Sequence, residues 1–253
     1  MQTKSVKPWY AYNGGSFKGD EPFFYDTKDF PWVERIESQW QVVRDEMMTL
    51  TQEHSDRLVP YANHAMTSKP NKWKTFGFQF WTIESRENCG KCPKTWELIQ
   101  SIPNSIAGSF NLLEGSSTIK PHRGDTNAII RCHLGLDVPA PLPECGFRVG
   151  DETRSWENGK LLMFCDAQPH TAWNNTKEKR YILLFDVMRP EYARRTKQVS
   201  SNVLAAIYLE IAYQRYAFLK RFRGRRGKAA LHRLLRTCFQ IALHSRMEVS
   251  LPS

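Results

Sequence analysis

Polar residues with strong ligand-binding chemistry recur inside the β-prone runs between Thr118 and Tyr192, and they constrain the fold more than any other feature of the chain. The runs are short and are separated by Gly, Pro, Asn and Asp, a pattern that favours antiparallel strands over helices. They contain three histidines and two arginines: His122, Arg131, His133, His170 and Arg180. Such groups are costly inside a sheet unless something binds them. Because divalent metals bind neutral imidazoles and guanidinium groups bind carboxylates, the pattern predicts a metal and a carboxylate-bearing ligand inside a β-barrel.

The spacing of these residues suits a site built from distant strands. His122 lies in KPHRGDTN and His170 lies 48 residues later in DAQPHTAWNN. In a double-stranded β-helix such positions meet at the mouth of the barrel, and a facial Fe(II) site takes two histidines while keeping positions open for a co-substrate and oxygen. Arg180, deeper in the barrel, would hold the far carboxylate of a 2-oxo acid. Arg131 and His133 alternate onto one strand face, where they form either a shared pocket or a buried ion-pair network.

The first hundred residues predict an arm, helices and one strand around this core. Residues 1–28 lack periodicity, and we interpret them as an extended arm that docks through Trp9, Tyr10, Phe23, Phe24 and Tyr25. A helix opened by Pro31 is predicted to pack its apolar face on the outside of the sheet, with Val33, Ile36, Trp40, Val43 and Met47. Residues 73–84 predict a strand, and Pro93 opens a short helix ending near Ile102. Cys89-x-x-Cys92 lacks the second pair that a four-ligand zinc site needs, so we interpret it as structural.

The net charge of +10 belongs to the C-terminal segment. Residues 191–253 hold 13 of the 36 Lys and Arg residues and 3 of the 26 Asp and Glu residues, so the remainder is neutral and is no basic platform for nucleic acid. The segment predicts two amphipathic helices. One apolar face carries Leu204, Ile207, Tyr208, Ile211 and Phe218, and the other carries Leu231, Leu234, Leu235, Cys238 and Ala242. The charged side either faces water or contacts an anionic membrane surface.

The N-terminal residues contain no apolar run typical of a signal peptide, so none precedes the six cysteines. We therefore expect reduced thiols and a cytoplasmic protein, with a peripheral membrane location left open. No run reaches the roughly 18 apolar residues that a membrane span needs.

Four longer motifs surround the candidate residues: CPKTWELIQSIP, KPHRGDTN followed by RCHLGLDVP, ETRSWENGKLLMFCDAQPHTAWNN, and KRYILLFDVMRPEY. Over residues 85–192 the chain resembles the aspartyl/asparaginyl β-hydroxylase family of Fe(II)- and 2-oxoglutarate-dependent oxygenases, which includes bacterial lipid A and ornithine-lipid acyl-chain hydroxylases. The resemblance implies a mostly β (α+β) fold, a jelly-roll or cupin-like double-stranded β-helix with flanking N-terminal helices. We expect an oxygenase domain over residues 1–192, with the arm and helices in 1–104 and the catalytic core in 105–192, followed by a basic helical extension over 193–253.

The resemblance also implies roles for single residues. His122 and His170 match the two iron-binding histidines, and Arg180 matches the arginine that pairs with the distal carboxylate of 2-oxoglutarate. Arg131 and His133 match further co-substrate contacts.

Three more residues are weaker matches. Asn111 falls where the family has a small polar residue near the co-substrate, although a strand-edge hydrogen bond would also explain it. Asp166 and Trp173 flank His170, where groups supporting the ligands or forming the pocket wall are expected; the alternatives are a turn for Asp166 and a core contact for Trp173.

One position departs from the pattern of many such oxygenases, which carry an acidic ligand two residues after the first histidine. This chain has Gly124 there, as do the animal aspartyl hydroxylases, in which water replaces the acid. Asp125 is a candidate third ligand, and the alternative is that it caps the turn.

The resemblance implies an enzyme that hydroxylates a C–H bond of an aspartyl/asparaginyl-type substrate (amino acid, peptide or natural-product intermediate) while O2 and 2-oxoglutarate are consumed and succinate is released. A lipid acyl chain is the alternative substrate. Gly124 favours the first class of substrate, and the basic amphipathic tail favours the second. A non-catalytic cupin-like ligand-binding module is an alternative of another class. We do not expect a nucleic-acid partner.

Overall fold

Two antiparallel sheets face each other in a computed structural model that describes residues 7–61, 63 and 66–245. Within that part of the chain the strands are β1 (Val59–Pro60), β2 (Trp73–Phe80), β3 (Ile83–Glu84), β4 (Ser105–Leu113), β5 (Ser117–His122), β6 (Ile129–Asp137), β7 (Cys145–Val149), β8 (Glu152–Arg154), β9 (Leu161–Phe164), β10 (His170–Asn174) and β11 (Arg180–Met188). The larger sheet has the order β1-β2-β4-β11-β6-β9, with β3 beside β2, and the smaller has the order β5-β10-β7-β8. The predicted jelly-roll class is confirmed.

Strand β11 shows how the larger sheet separates an inner face from an outer face. Tyr181, Leu183 and Phe185 join a hydrophobic cluster outside the sheet, whereas Ile182 joins the cluster between the sheets. Side chains alternate along a strand, so Arg180 lies on the inner face with Ile182. The central strand thus directs polar groups into the space between the sheets.

Six helices accompany the sheets in the described part of the chain: α1 (Val33–Ser38), α2 (Trp40–Glu53), α3 (Arg86–Lys91), α4 (Pro93–Gln100), α5 (Thr196–Arg215) and α6 (Arg225–Ser245). Ile36, Val43 and Met47 are buried against the outer face of the larger sheet, as predicted. The single helix predicted there is wrong, because the backbone leaves helical geometry at Gln39 (φ −103°, ψ 7°) and divides it into α1 and α2.

Strand β2 ends earlier than the sequence predicts. The strand predicted over 73–84 stops at Phe80, since Trp81 and Thr82 have positive φ values of 48° and 73° and turn the chain into β3. Cys89 and Cys92 are buried free thiols, and burial raises the pKa of each to about 12. The short helix predicted from Pro93 is confirmed as α4.

The described part of the predicted arm, residues 7–28, docks on the barrel as predicted, and residues 1–6 lie outside the described residues. The backbone amide of Tyr25 donates to the carbonyl of Met163 at 2.8 Å, and Phe24 enters the cluster between the sheets. Trp9 donates its backbone amide to Asn127 Oδ1 at 2.7 Å, close to the loop that follows β5.

Helices α5 and α6 pack at one end of the larger sheet. Val199, Val203 and Leu204 share a cluster with Ile129 of β6 and Met188 of β11. The division into domains at residue 192 stays a prediction. No helix in the described residues is long and apolar enough to cross a membrane.

Two predictions about the faces of these helices are wrong. Phe218 lies outside α5, because the chain becomes extended at Tyr216, and its side chain is 59% exposed. Leu234 and Cys238 of α6 are exposed as well, since α6 turns His232, Phe239 and Ala242 inward instead. His232 stacks on Tyr12 of the arm with 3.9 Å between ring centroids, which fixes this rotation of the helix.

Candidate metal and co-substrate site

Two imidazoles meet where the smaller sheet opens. His122 ends β5 and His170 begins β10, and these antiparallel strands place the two residues opposite each other. Their ring centroids are 4.1 Å apart with 61° between the ring planes. The 48 residues between them in sequence are therefore closed into one site by strand pairing, as the spacing predicts.

Both imidazoles are held in the form that can bind a metal. His122 Nδ1 lies 2.8 Å from the carbonyl of Lys120, and His170 Nδ1 lies 2.9 Å from the carbonyl of Gln168. A carbonyl oxygen only accepts hydrogen bonds, so each Nδ1 carries the proton and each Nε2 keeps its lone pair. Burial lowers the pKa of His122, and burial with the neighbouring His122 lowers that of His170 well below its usual range. The pair is therefore neutral near pH 7.

A carboxylate occupies the space beside Gly124. Asp166 Oδ1 lies 3.7 Å from His170 Nε2. A Cβ atom added to Gly124 would come within 1.5 Å of Asp166 Oδ2, and the Gly124 amide donates to the Asp166 carbonyl at 2.7 Å. The acid that is absent after the first histidine is thus spatially replaced by one that precedes the second.

Arg131 fixes this carboxylate. Its NH1 donates to Asp166 Oδ1 at 2.6 Å, while Nε and NH2 donate to the two oxygens of Asp186 at 2.8 and 2.9 Å. Burial raises the pKa of Asp166, and the Arg131 guanidinium opposes that shift. Arg131 lies at the site, and its guanidinium is engaged in the ion-pair network that was the alternative to a co-substrate contact.

Arg180 and His133 line the barrel further inside, and both contact Trp156. The Arg180 guanidinium lies 4.4 Å from the centroid of the Trp156 ring and is 2% exposed. No ion pair involves it in the described residues, and its Nε has no hydrogen-bond partner there. Burial lowers the pKa of Arg180 to about 10, so it remains a cation at neutral pH.

His133 presents a hydrogen-bond donor to the same space. The Trp156 indole donates to His133 Nδ1 at 3.2 Å. An indole NH only donates, so Nδ1 is the acceptor and the proton resides on Nε2. That Nε2 is buried without a partner among the described residues, and burial with Arg180 lowers the His133 pKa well below its usual range. A neutral donor and an unpaired cation therefore point to an anionic ligand.

The remaining predicted residues make no hydrogen bond or ion pair with either histidine in the described part of the chain. Asn111 is buried on β4, where it accepts from Trp73 Nε1 at 2.9 Å and donates to Ser109 Oγ at 2.8 Å. Trp173 lies on the outer face of β10, with its indole donating to the Pro143 carbonyl. In the described part of the chain Asp125 makes no ion pair with either histidine; its carbonyl accepts from the Ala11 amide at 2.9 Å.

Two residues of the site were missed at the sequence level. Trp156 orients both His133 and Arg180, and its place in the motif ETRSWENGK was the available signal. Tyr61 stacks on Trp73 at 3.8 Å, and burial raises its pKa, with Arg131, Asp125 and Asp166 close enough to influence it. Tyr61 lies in a polar stretch without periodicity, so no pattern pointed to it.

The donor set suits a metal that takes two protein nitrogens. No cluster of three or more His, Cys, Asp and Glu side chains forms a metal site within the described ranges. Two neutral imidazoles with free Nε2 atoms nevertheless fit an Fe(II) site whose other positions are filled by co-substrate and water. The unpartnered Arg180 Nε and His133 Nε2 fit a dicarboxylate such as 2-oxoglutarate.

Fold and site together define a double-stranded β-helix protein with two paired histidines at the mouth of the barrel and a buried arginine without an ion pair further inside, among the described residues. The family model for aspartyl/asparaginyl β-hydroxylase matches residues 37–190, so the chain belongs to that family.

Several curated proteins are similar to the chain. It is 35% identical over 172 residues to the ornithine lipid ester-linked acyl 2-hydroxylase of Rhizobium tropici. The aligned region covers 67% of this chain and 61% of that protein. It is 30% identical over 193 residues to the aspartate β-hydroxylase domain-containing protein 2 of Mus musculus, covering 73% and 55%. It is 27% identical over 164 residues to the human aspartyl/asparaginyl β-hydroxylase, covering 63% and 21%. The chain thus spans less than two thirds of each of these relatives.

Solved structures are more distant. A prolyl-4-hydroxylase of Pseudomonas putida matches with a TM-score of 0.41 and 13% identity over 62% of this chain and 98% of that one.

Proposed function

We propose that this protein is an Fe(II)- and 2-oxoglutarate-dependent hydroxylase. One observation carries the proposal: two neutral imidazoles meet at the barrel mouth, and an unpaired buried guanidinium lies further inside the same barrel. A buried cation without a partner costs several kcal/mol, a cost that a bound carboxylate would offset. Membership of a hydroxylase family supports the same conclusion.

In this proposal His122 and His170 hold the iron through their Nε2 atoms. The Lys120 and Gln168 carbonyls keep the protons on Nδ1 and fix the ring orientations. When bound, the iron and 2-oxoglutarate would supply the oxidising power for insertion of one oxygen atom into a C–H bond, with release of succinate and carbon dioxide.

The neighbouring side chains position the ligands. Arg180 pairs with the distal carboxylate of 2-oxoglutarate, and His133 donates from Nε2. Asp166, clamped by Arg131, can accept a hydrogen bond from a group bound next to His170. The aromatic rings around His133, among them Phe147 and Phe164, exclude water from this pocket.

Two substrate classes have specific support. The family name and Gly124 favour an aspartyl/asparaginyl-type substrate. The relative that is 35% identical acts, by its name, on the acyl chain of ornithine lipid, which favours a lipid acyl substrate. Mass spectrometry of each candidate after incubation with enzyme, Fe(II), 2-oxoglutarate and O2 would detect the gain of one oxygen atom and identify the class.

Succinate formation separates these enzymes from a non-catalytic ligand-binding module. We expect succinate to accumulate in an Fe(II)-dependent manner with a matching substrate, and weakly without one. No succinate under any of these conditions, with the protein folded and 2-oxoglutarate bound, would favour the binding module.

A further inference from the structure

The C-terminal helical pair carries an unusual surface, which is formed by the exposed side chains of residues 215–241 and is called here the basic surface. Residues 211–245 contain nine Lys and Arg residues and no Asp or Glu. Seven of the nine are exposed: Arg215, Lys220, Arg221, Arg223, Arg225, Arg226 and Arg233. Glu210 precedes the segment and pairs with Arg223 at 2.8 Å. The charge is therefore concentrated at one end of the molecule.

Large apolar side chains are exposed among these cations. Eight large hydrophobic residues are exposed in the described part of the chain, and five of them belong to this surface: Tyr216, Phe218, Phe222, Leu234 and Ile241. Phe218 and Leu234 are 59% and 62% exposed. Leu234 and Ile241 are seven residues apart and share the side of α6 that faces away from its buried residues His232 and Phe239. Exposed apolar groups gathered in this way mark an interaction surface.

We propose that the basic surface binds the face of an anionic lipid bilayer. Cations draw the protein to anionic headgroups, and aromatic and aliphatic side chains enter the boundary between headgroups and acyl chains. Nucleic acid is the other polyanion that such charge could attract, and aromatic rings can stack on bases. Leu234 and Ile241 have no role in base stacking, so the mixture favours lipid.

The arm connects this surface to the histidine pair. Tyr12 stacks on His232 of α6, and the Ala11 amide donates to the carbonyl of Asp125, three residues after His122. The arm therefore lies between the helix that carries part of the basic surface and the loop that leaves the first histidine. The proposal does not depend on the proposed reaction, because vesicle binding needs neither iron nor 2-oxoglutarate.

Vesicle sedimentation of the full chain tests the proposal. We expect binding to vesicles of phosphatidylcholine with about one third phosphatidylglycerol, and no binding to phosphatidylcholine alone. The combined substitutions Arg221→Gln, Arg225→Gln and Arg226→Gln should lower the partition coefficient about a hundredfold, at about fivefold for each charge. Phe218→Ser with Leu234→Ser should lower it about tenfold at unchanged charge.

A matched control removes three exposed charges elsewhere: Arg35→Gln, Lys94→Gln and Lys179→Gln. This variant should bind nearly as well as the wild type, and circular dichroism should show that all variants are folded. A wild type that ignores anionic vesicles, or a control that loses as much binding as the Arg221 set, would overturn the proposal. Binding of single-stranded DNA without vesicle binding would assign the surface to nucleic acid instead.

Cys238 provides a second measurement. It is exposed on α6 near Leu234, whereas the other five cysteines are buried, so it can be labelled selectively with a polarity-sensitive fluorophore. We expect the emission to shift to the blue when anionic vesicles are added. An unchanged spectrum under conditions in which the protein sediments with vesicles would contradict contact through this face.

Discussion

The substitution Gly124→Ala tests the central geometric feature of the site, the carboxylate that fills the space beside Gly124. The new Cβ would lie 1.5 Å from Asp166 Oδ2, whereas ordinary contact begins at 3.4 Å, so the carboxylate must retreat by about 2 Å. That movement breaks its 2.6 Å contact with Arg131. Breaking a buried ion pair costs about 3–5 kcal/mol. Arg131 keeps Asp186, so we expect the lower end of that range, about 3 kcal/mol.

The assay is urea unfolding of the metal-free protein, followed by tryptophan fluorescence. Thermal unfolding of the same samples should show this loss as a fall of about 6–12 °C in Tm. Gly77→Ala is the matched control, because a Cβ there meets nothing within 4 Å, and it should change the free energy of unfolding by less than about 0.5 kcal/mol.

A double-mutant cycle tests whether the loss of stability comes from the clash between the new methyl group and the Asp166 carboxylate. Asp166→Ala destabilises by itself, but it also empties the space that the Gly124→Ala methyl group needs. The double variant should therefore be no less stable than Asp166→Ala alone. Equal stability of Gly124→Ala and Gly77→Ala, or additive losses in the double variant, would refute the geometry on which this reasoning rests.

Three further predictions concern the co-substrate pocket and pH. Arg180→Ala should raise the KM for 2-oxoglutarate about 10- to 100-fold by removing a charge-assisted hydrogen bond, and succinate kinetics would measure it; an unchanged KM would count against the assigned role. Trp156→Phe keeps a ring under Arg180 but removes the donor to His133 Nδ1, so we expect a KM increase of about 3- to 10-fold by the same assay, and wild-type kinetics would show that this hydrogen bond is unimportant. Burial lowers the pKa of His133 in the folded state, so its contribution to the free energy of unfolding should fall from about pH 7 to about pH 5, whereas the raised pKa values of the buried Asp125 and Asp166 act in the opposite direction. Urea unfolding in chelator at each pH isolates the histidine when the wild type is compared with His133→Gln: the wild type should lose more stability on acidification than the variant, and equal losses would contradict the prediction.

The meeting of His122 and His170 could be predicted because the spacing of the histidines suits a double-stranded β-helix and the resemblance to the hydroxylase family implies that fold, and strand pairing confirms it. The resemblance also placed Arg180 inside the barrel, and alternation along β11 in the structure puts it on the inner face with Ile182. The functional roles of these residues remain proposals.

Features that depend on contacts between distant segments could not be predicted in this way. The overlap between the space at Gly124 and the Asp166 carboxylate depends on the backbone paths of two loops. Leu234 is exposed because the stack between Tyr12 and His232 sets the rotation of α6. Phe218 is exposed because α5 ends where the backbone becomes extended at Tyr216. Periodicity identifies an apolar face but not the neighbour that covers it.

Succinate formation by the His170→Ala variant tests the account most directly. The wild type should release succinate from 2-oxoglutarate in the presence of Fe(II) and O2. His170→Ala should release none above the rate without protein, because one of the two Nε2 donors is lost. Circular dichroism should show that the variant is folded. Fe(II)-dependent succinate release by His170→Ala at the wild-type rate would contradict the two-histidine site.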